Sequence, residues 1–310
     1  MKVSIIIPVY YNEENLIPLY DDIYEKFIKK TEYDYEIVMV DDGSLDNSYS
    51  VMEKLAEKDS HIKIFRLSRN FGSHAAILCG LFSCTGDCAI VKAADLQEPT
   101  ELLHDMIDSW KKGNNVVLAV REDRKDKIST TFFANMYYRL VRTIALPNMP
   151  KGGFDVYLVD RKVIRVLNEM DEKNSALTGQ ILWAGFKTDY IYYTRLERKV
   201  GKSRWTVKKK IGLVKNTVFS FSTLPITLIS GIGVISFVIS IIWAVIEVIC
   251  KLLGLIQVSG WTMLFIFQLL SFGLIMLTMG ILGEYLWRTF DATRNRPAYI
   301  VEEEGKRKDD

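Results

Sequence analysis

The chain has 310 residues, of which 49% are hydrophobic and 25% are charged, and its formal net charge is +2 at pH 7. The mean hydropathy of +0.08 is high for a chain with that much charge. No charged residue occurs between Asn216 and Ile246 or between Leu252 and Gly283. Because about 20 apolar residues already cross a bilayer, the composition excludes an ordinary soluble protein, a disordered chain and a secreted disulfide scaffold. It predicts a water-soluble head followed by a two-helix membrane hairpin.

The charges beside these apolar stretches predict how the hairpin is oriented. Residues 195–215 contain nine Lys and Arg and one acid, Glu197. The second apolar stretch is followed closely by Arg288, Arg294 and Arg296. Lys and Arg favour the cytoplasmic side of a membrane, and the N-terminal segment lacks a signal-peptide pattern. We therefore expect a multi-pass protein of the cell membrane with its head and both termini in the cytoplasm, and with the turn around residues 251–259 outside.

The head alternates short apolar runs with stretches of helical spacing. Strands are predicted at residues 3–8, 35–40, 62–67, 88–92 and 115–120, and helices at 16–30, 46–58, 73–84 and 100–112. Most of the strand runs are continuously apolar, which is typical of strands covered on both faces. Repeated strand–helix alternation predicts a mostly parallel, doubly wound α/β sheet. Such sheets bind ligands beyond the carboxyl ends of their strands.

Acidic residues follow three of the predicted strands. The first strand leads into PVYYNEE (8–14), the second into DDGS (41–44) and the fourth into ADLQEP (94–99). Carboxylates repel a bare phosphate unless a divalent cation lies between them, and Mg²⁺ is often shared between a carboxylate and substrate phosphates. Neither a Gly-x-Gly-x-x-Gly fingerprint nor a P-loop is present. The pattern predicts a metal-assisted nucleotide site; the alternative is that Asp42 and Asp46 only stabilise a turn and a helix start.

Four motifs carry a resemblance to a known family. VSIIIPVYYNEE (3–14), VDDGSLDNS (40–48), RNFGSHAA (69–76) and ADLQEP resemble the family-2 glycosyltransferases of the GT-A fold. With two C-terminal spans, the chain resembles the polyisoprenyl-phosphate glycosyltransferases of bacteria, which include the bactoprenol glucosyl transferases and are related to dolichol-phosphate mannose synthase. The resemblance implies four parts: a GT-A domain over 1–205, a juxtamembrane amphipathic helix over 206–222, a transmembrane hairpin over 223–290 and a charged cytoplasmic tail over 291–310.

The resemblance also implies an activity. It is the inverting transfer of a hexose, with glucose from UDP-glucose preferred, to undecaprenyl phosphate at the cytoplasmic membrane face, for cell-envelope glycosylation. The implied partners are the nucleotide sugar, the lipid phosphate, the bilayer and further copies of the chain, and not nucleic acid. One alternative is a processive polysaccharide synthase, although only Arg204-Trp205 remains of its usual Gln-x-x-Arg-Trp motif. The other is a non-catalytic membrane sensor that binds nucleotide sugar.

Matching the family motifs position by position implies a donor site. Its residues are Pro8, Val9, Tyr10, Glu13, Asp41, Asp42, Arg69 and Asn70. Asp95 corresponds to the last acid of the family's Asp-x-Asp motif and is expected to bind Mg²⁺ or Mn²⁺ on the diphosphate. Ala93 replaces the first acid of that motif, so one sugar-nucleotide contact of the family is missing. Lys92 is expected either to meet the donor phosphates or to be a surface lysine, and His74 receives no role.

The acceptor side of the site is implied by two later segments. Asp155 occupies the place of the family's base-like aspartate, where it would orient the lipid phosphate or take its remaining proton. The alternative for Asp155 is an acid at the start of a strand. Arg198, Lys202 and Arg204 are expected to hold the phosphates, since arginine can form two parallel bonds with a phosphate. A basic surface attracted to anionic lipid is the alternative for these three residues.

Overall fold

The computed structural model describes residues 1–122, 139, 141–143, 145–151, 153–170, 172, 175–196, 207–253 and 261–305. These residues form two compact units. The first contains the residues up to Thr217 together with those from Pro297 onward, and the second contains Val218–Arg296. Arg198, Lys202 and Arg204 lie outside the described residues.

The first unit is built on one sheet of eight strands. Its strands are β1 (Lys2–Val9), β2 (Asp34–Asp41), β3 (Ile62–Leu67), β4 (Cys88–Val91), β5 (Val116–Arg121), β6 (Phe154–Asp160), β7 (Thr188–Tyr193) and β8 (Val301–Glu304). Its helices are α1 (Glu13–Lys26), α2 (Ser48–Lys58), α3 (Ser73–Ser83), α4 (Leu102–Lys111), α5 (Arg161–Glu169) and α6 (Leu177–Trp183), with a 3₁₀ turn at Ile28–Lys30. The five predicted strands and four predicted helices are all present, with ends shifted by a few residues.

The strand order is β7-β5-β6-β4-β1-β2-β3-β8. Strands β3, β2, β1 and β4 are parallel to one another, whereas β6 is antiparallel to both β4 and β5. The chain runs from β1 to β2 and β3 on one side, and β4 then pairs with the other side of β1. This reversal beside β1 is the point where open α/β sheets bind ligands, and it confirms the predicted GT-A type of α/β fold.

The apolar strand runs form the core because both faces of the sheet are covered. Ile5, Ile6 and Ile7 in β1 are fully buried although successive side chains point to opposite faces. Helices α1 and α4 contribute Leu16 and Met106 to the cluster that contains Ile5 and Ile7, on one face of the sheet. Helix α3 covers the opposite face, where Gly80 approaches the Ile6 side chain so closely that an added Cβ atom would overlap it. Because helices cover both faces, the strand has no solvated face that would require polar residues at alternate positions.

The strand β8 is an addition that the sequence did not predict, since residues 291–310 were expected only to be a charged tail. It pairs antiparallel with β3, and Glu303 lies opposite Arg66 in the register. The C-terminal segment thereby joins the sheet of the head after the second apolar helix.

The second unit contains the apolar helices α8 (Leu224–Leu252) and α9 (Trp261–Thr293), and the helix α7 (Val207–Phe221) runs into it. Among the described residues, two segments are long and apolar enough to span a membrane, Leu224–Trp243 and Leu270–Thr293. At the end of α9, Arg288 Nε pairs with Glu284 at 3.1 Å and its Nη1 donates to Ser220 Oγ at 3.1 Å. This polar cluster holds the end of α7 against α9.

Candidate active site

The first loop of the site follows β1. Pro8 and Val9 end this strand opposite Val40 and Asp41 of β2. The Tyr10 and Tyr11 rings pack edge to face with centroids 4.7 Å apart. The backbone N–H of Tyr11 donates to Ser44 Oγ at 2.9 Å, which ties this loop to the DDGS turn. The structure therefore brings two of the motifs that carry the resemblance into contact.

Glu13 also joins two elements of the site. Its Oε2 accepts a hydrogen bond from the backbone N–H of Asn47 at 2.8 Å, immediately before α2. The carboxylate thus links the start of α1 to the start of α2. Its contact with a donor stays a prediction.

Asp41 is a fully buried carboxylate at the carboxyl end of β2. It accepts hydrogen bonds from the backbone N–H of Ser44 at 3.2 Å and from the Ser44 hydroxyl, and Arg66 Nε lies 3.8 Å from its Oδ2. Burial raises the pKa of Asp41, while the Ser44 hydrogen bonds and the Arg66 charge oppose that rise. The Ser44 and Arg66 contacts fix the orientation of this carboxylate, and its contact with the base or ribose of a donor stays a prediction.

Asp42 and Gly43 connect the DDGS turn to the RNFG loop. The Asp42 carboxylate accepts the backbone N–H of Phe71 at 2.7 Å and that of Gly72 at 2.9 Å. Gly43 has a φ of +69°, and a Cβ atom there would lie 2.6 Å from the carbonyl carbon of Arg69. Asp42 thus supports the loop that carries Arg69 and Asn70, both of which are exposed. Direct contacts of these three residues with a donor stay predictions.

The ADLQEP loop holds Asp95 beyond the end of β4. Asp95 Oδ1 accepts the backbone N–H of Gln97 at 3.3 Å, and Leu96 between them has a φ of +57°. Arg195 Nη2 lies 3.6 Å from Asp95 Oδ2 and donates to Gln97 Oε1 at 2.5 Å. The backbone N–H of Leu196 donates to the Gln97 carbonyl at 2.9 Å. The first residue of the basic block is therefore attached to the predicted metal-binding loop.

Lys92 and Glu98 are buried beneath this loop. Lys92 is 1% exposed, so the expectation of a surface lysine is wrong: its Nζ turns inward and donates to the Glu98 carbonyl at 2.7 Å. Both carboxylate oxygens of Glu98 are buried without a hydrogen-bond partner among the residues the structure describes. Burial raises the pKa of Glu98 and the Asp95 charge adds to the rise, whereas Lys92, Arg195 and Arg121 oppose it. Among the described residues, Asp95 therefore has both a cationic neighbour, Arg195, and an acidic one, Glu98.

Asp155 lies near the start of β6 and forms an ion pair with Arg121, the last residue of β5. The Asp155 side chain is 52% exposed, whereas that of Arg121 is 15% exposed. The antiparallel pairing of β5 and β6 brings the two residues together. An exposed carboxylate fixed by a largely buried guanidinium can receive a ligand from solvent while it stays oriented.

Three arginines that sequence reasoning left without a role each lie against a predicted site acid. They are Arg66 with Asp41, Arg121 with Asp155, and Arg195 with Asp95. Arg66 and Arg121 stand at or just past the carboxyl ends of predicted strands, which is a position that could have singled them out. The pairing itself depends on strand register and could not be read from spacing.

The family model of glycosyl transferase family 2 matches residues 4–166. The glycosyltransferase YkcC of Bacillus subtilis is 36% identical over 97% of this chain and 94% of its own length. The prophage bactoprenol glucosyl transferase homolog of Escherichia coli is 33% identical over 97% of this chain and 98% of its own. The mannosyltransferase PcManGT of Pyrobaculum calidifontis superposes with a TM-score of 0.47 at 18% identity, over 65% of this chain and 58% of that one.

The reversal of strand order beside β1 and the matching family model together define a glycosyltransferase with a fold of the GT-A type. The chain belongs to glycosyl transferase family 2.

Proposed function

We propose that the protein transfers one hexose from a nucleotide sugar to undecaprenyl phosphate at the cytoplasmic face of the membrane. The observation that carries the proposal is the joint presence of three arginine-paired acids at or beyond strand ends, Asp41, Asp95 and Asp155, and of two helices long enough to span a membrane. It is supported by relatives named bactoprenol glucosyl transferase, such as that of Shigella phage SfV, which is 32% identical over 98% of this chain and 99% of its own length.

The donor side of the proposal assigns the nucleoside to Asp41 and the diphosphate to Asp95. We favour UDP-glucose as donor because the related transferases are named for glucosyl transfer. The described residues contain no group of three or more His, Cys, Asp or Glu side chains placed to hold a metal ion. A divalent ion at Asp95 would therefore take most of its ligands from the diphosphate and water, which suits Mg²⁺ or Mn²⁺.

The chemistry of Asp95 and its neighbours fits such an ion. Asp95 is a part-buried carboxylate, and Arg195 is its cationic partner. When bound, the ion supplies positive charge to the leaving diphosphate. We assign Arg195, whose Nη2 also contacts Gln97 in the same loop, to a phosphate oxygen of the donor.

The acceptor side of the proposal assigns the lipid phosphate to Asp155 and Arg121. A phosphate is already anionic near pH 7, so the step requires alignment behind the sugar rather than strong deprotonation. Arg121 attracts the phosphate, and Asp155 orients it or takes its remaining proton. In-line attack from the face opposite the diphosphate inverts the sugar, and an α-linked donor therefore gives a β-linked lipid phosphate sugar.

The membrane side of the proposal assigns the head, the start of α8 and the end of α9 to the cytoplasmic side of the membrane. With native cysteines replaced, a single cysteine at Leu253 should react with an impermeant thiol reagent added to intact cells. One at Arg294 should react only after lysis. The opposite labelling would put the site on the wrong side of the membrane for cytoplasmic nucleotide sugars.

The activity is tested with the purified full chain, Mg²⁺ and a panel of UDP- and GDP-sugars. We expect nucleotide release from one donor, and we expect that release to require undecaprenyl phosphate. Release that is equally fast without the lipid would indicate hydrolysis, and no release from any donor would refute the proposal. Donor binding without turnover would instead favour a nucleotide-sugar sensor.

A further inference from the structure

The C-terminal segment is attached to the sheet at the end of β3 that carries the donor loop. The backbone N–H of Ser68 donates to the Ile300 carbonyl at 3.0 Å, and the N–H of Gly305 donates to the Ile64 carbonyl at 3.0 Å. Leu67 pairs with Val301 between these bonds. The strand β8 therefore begins beside Ser68, immediately before Arg69 and Asn70.

Close packing accompanies these hydrogen bonds at both ends of β8. A Cβ atom on Gly305 would overlap the Ile64 side chain, whose Cδ1 would lie 2.8 Å away. Burial raises the pKa of Tyr299 to about 12, and the neighbouring Cys79 thiol of α3 adds to the rise. The segment around β8 is thus fitted to β3 and α3, and is more than a charged extension.

One residue of β8 reaches the buried acid of the donor site through an arginine. Glu303 Oε2 lies 3.8 Å from Arg66 Nη1, and Arg66 Nε lies 3.8 Å from Asp41 Oδ2. The Arg66 guanidinium lies 5.2 Å from the centre of the Tyr49 ring. Burial raises the pKa of Tyr49 to about 12, and the nearby Glu303 charge adds to the rise. Arg66 therefore lies between one acid from β2 and one from β8.

We propose that the C-terminal strand is part of the donor site, with Glu303 as a positioning residue that holds Arg66 against the nucleoside-binding Asp41. The inference rests on the proposed function, since it takes Asp41 as a donor ligand. Arg66 is about one third exposed, so without Glu303 its guanidinium is free to turn toward solvent. Asp41 would then lose the cation that favours its ionised form.

The test measures binding of UDP and GDP to the full chain by titration, together with donor KM and kcat. Because partly exposed ion pairs contribute little, Glu303→Gln should raise the Kd of the bound nucleotide and the donor KM only about threefold. The kcat should stay within about twofold. Glu302→Gln is the matched control, because it removes the same charge from the adjacent residue, which the register shift leaves without a pairing residue in β3.

Two further variants separate positioning from general stability. In an Arg66→Met background, Glu303→Gln should have no added effect on Kd, because the contact through which it acts is gone. Gly305→Val displaces the end of β8 from Ile64 and should raise Kd at least as much as Glu303→Gln, at a temperature where circular dichroism shows a folded head.

The outcomes distinguish this inference from the proposed function. If the wild-type chain turns over a donor but Glu303→Gln matches Glu302→Gln and Gly305→Val leaves Kd unchanged, the inference is overturned and the proposed function stands. An equal effect of Glu303→Gln with and without Arg66 also overturns it. If the wild-type chain binds neither UDP nor GDP, both fail together.

Discussion

Arg121 and Asp155 form an ion pair across the adjacent strands β5 and β6, with the arginine largely buried and the aspartate half exposed. If this carboxylate aligns the acceptor, Asp155→Asn should lower kcat about 100-fold, which is the lower range for a residue acting in proton transfer. The Kd for UDP should change less than twofold, since Asp155 is assigned to the acceptor.

Arg121→Lys provides the companion measurement. It keeps the positive charge but loses the planar fork of donors, and we expect a kcat between those of the wild type and Asp155→Asn. A kcat for Asp155→Asn equal to that of the wild type would return this residue to a structural role at the start of its strand.

Substitution of Asp95 should reduce metal-dependent turnover while the head still folds. Asp95→Ala should lower kcat about 100-fold or more, as loss of one preorganised electrostatic contact typically does. It should also weaken Mn²⁺ binding to the UDP-bound protein, which can be followed by electron paramagnetic resonance. Asp108→Ala, in an exposed position of α4, is the control. Unchanged Mn²⁺ affinity and full activity in Asp95→Ala would remove the metal assignment.

Gly43→Ala should disturb the contact between the DDGS turn and the donor loop. A Cβ atom there would lie 2.6 Å from the Arg69 backbone, in addition to the strain of a φ of +69°. We expect a loss of roughly 2–4 kcal/mol in the free energy of unfolding, from overpacking and backbone strain together, and a raised donor KM.

Gly113→Ala controls for the backbone strain. Gly113 has a φ of +87° but no atom within 4 Å of the added Cβ, so its substitution should cost only about 1 kcal/mol. Equal losses at the two glycines, measured by urea unfolding, would show that the close approach at Gly43 contributes nothing.

His74 should make the head less stable in acid. Its Nδ1 accepts the backbone N–H of Leu177 at 3.1 Å, and burial lowers its pKa to about 4. The native imidazole is neutral, while the unfolded one gains a proton below pH 6.5. The contribution of the neutral imidazole to the free energy of unfolding is therefore complete above pH 6.5. As the pH falls from 6.5 toward 4, the head loses about 3 kcal/mol of that free energy.

His74→Asn tests this pH dependence, because the asparagine amide oxygen can take the place of Nδ1 and does not titrate. The difference in unfolding midpoint between the wild type and this variant should shrink as the pH falls from 7 to 4.5. A difference that is independent of pH would contradict the assignment of a neutral buried imidazole.

The sequence predicted the first five strands because continuous apolar runs such as Ile5–Ile7 occur only where both faces of a sheet are covered. It did not predict β8, since Val301–Glu304 contains three glutamates and depends entirely on the β3 edge for its hydrogen bonds. A four-residue polar strand has no periodic signal, so its pairing is visible only in three dimensions.

In the candidate site, the motifs predicted which acids take part, whereas the contacts between segments depend on the three-dimensional fold. Motif positions identified Asp41, Asp95 and Asp155, and each lies at a strand end in the structure. The hydrogen bonds of Asp42 with Phe71 and Gly72 join segments that are far apart in the sequence, so no local pattern predicts them. Arg121 and Asp155 are far apart in the sequence, and only antiparallel register joins them.

The most direct measurement is the mass spectrum of the lipid product. Purified full-length protein is incubated with Mg²⁺, undecaprenyl phosphate and UDP-glucose, and the lipid is extracted and compared with the same reaction containing Asp155→Asn. Transfer of one sugar predicts a single new species heavier than undecaprenyl phosphate by one anhydrohexose, and much less of it with the variant. A ladder of longer products would indicate a processive synthase, and unchanged lipid with every nucleotide sugar tested would contradict sugar transfer to the lipid phosphate.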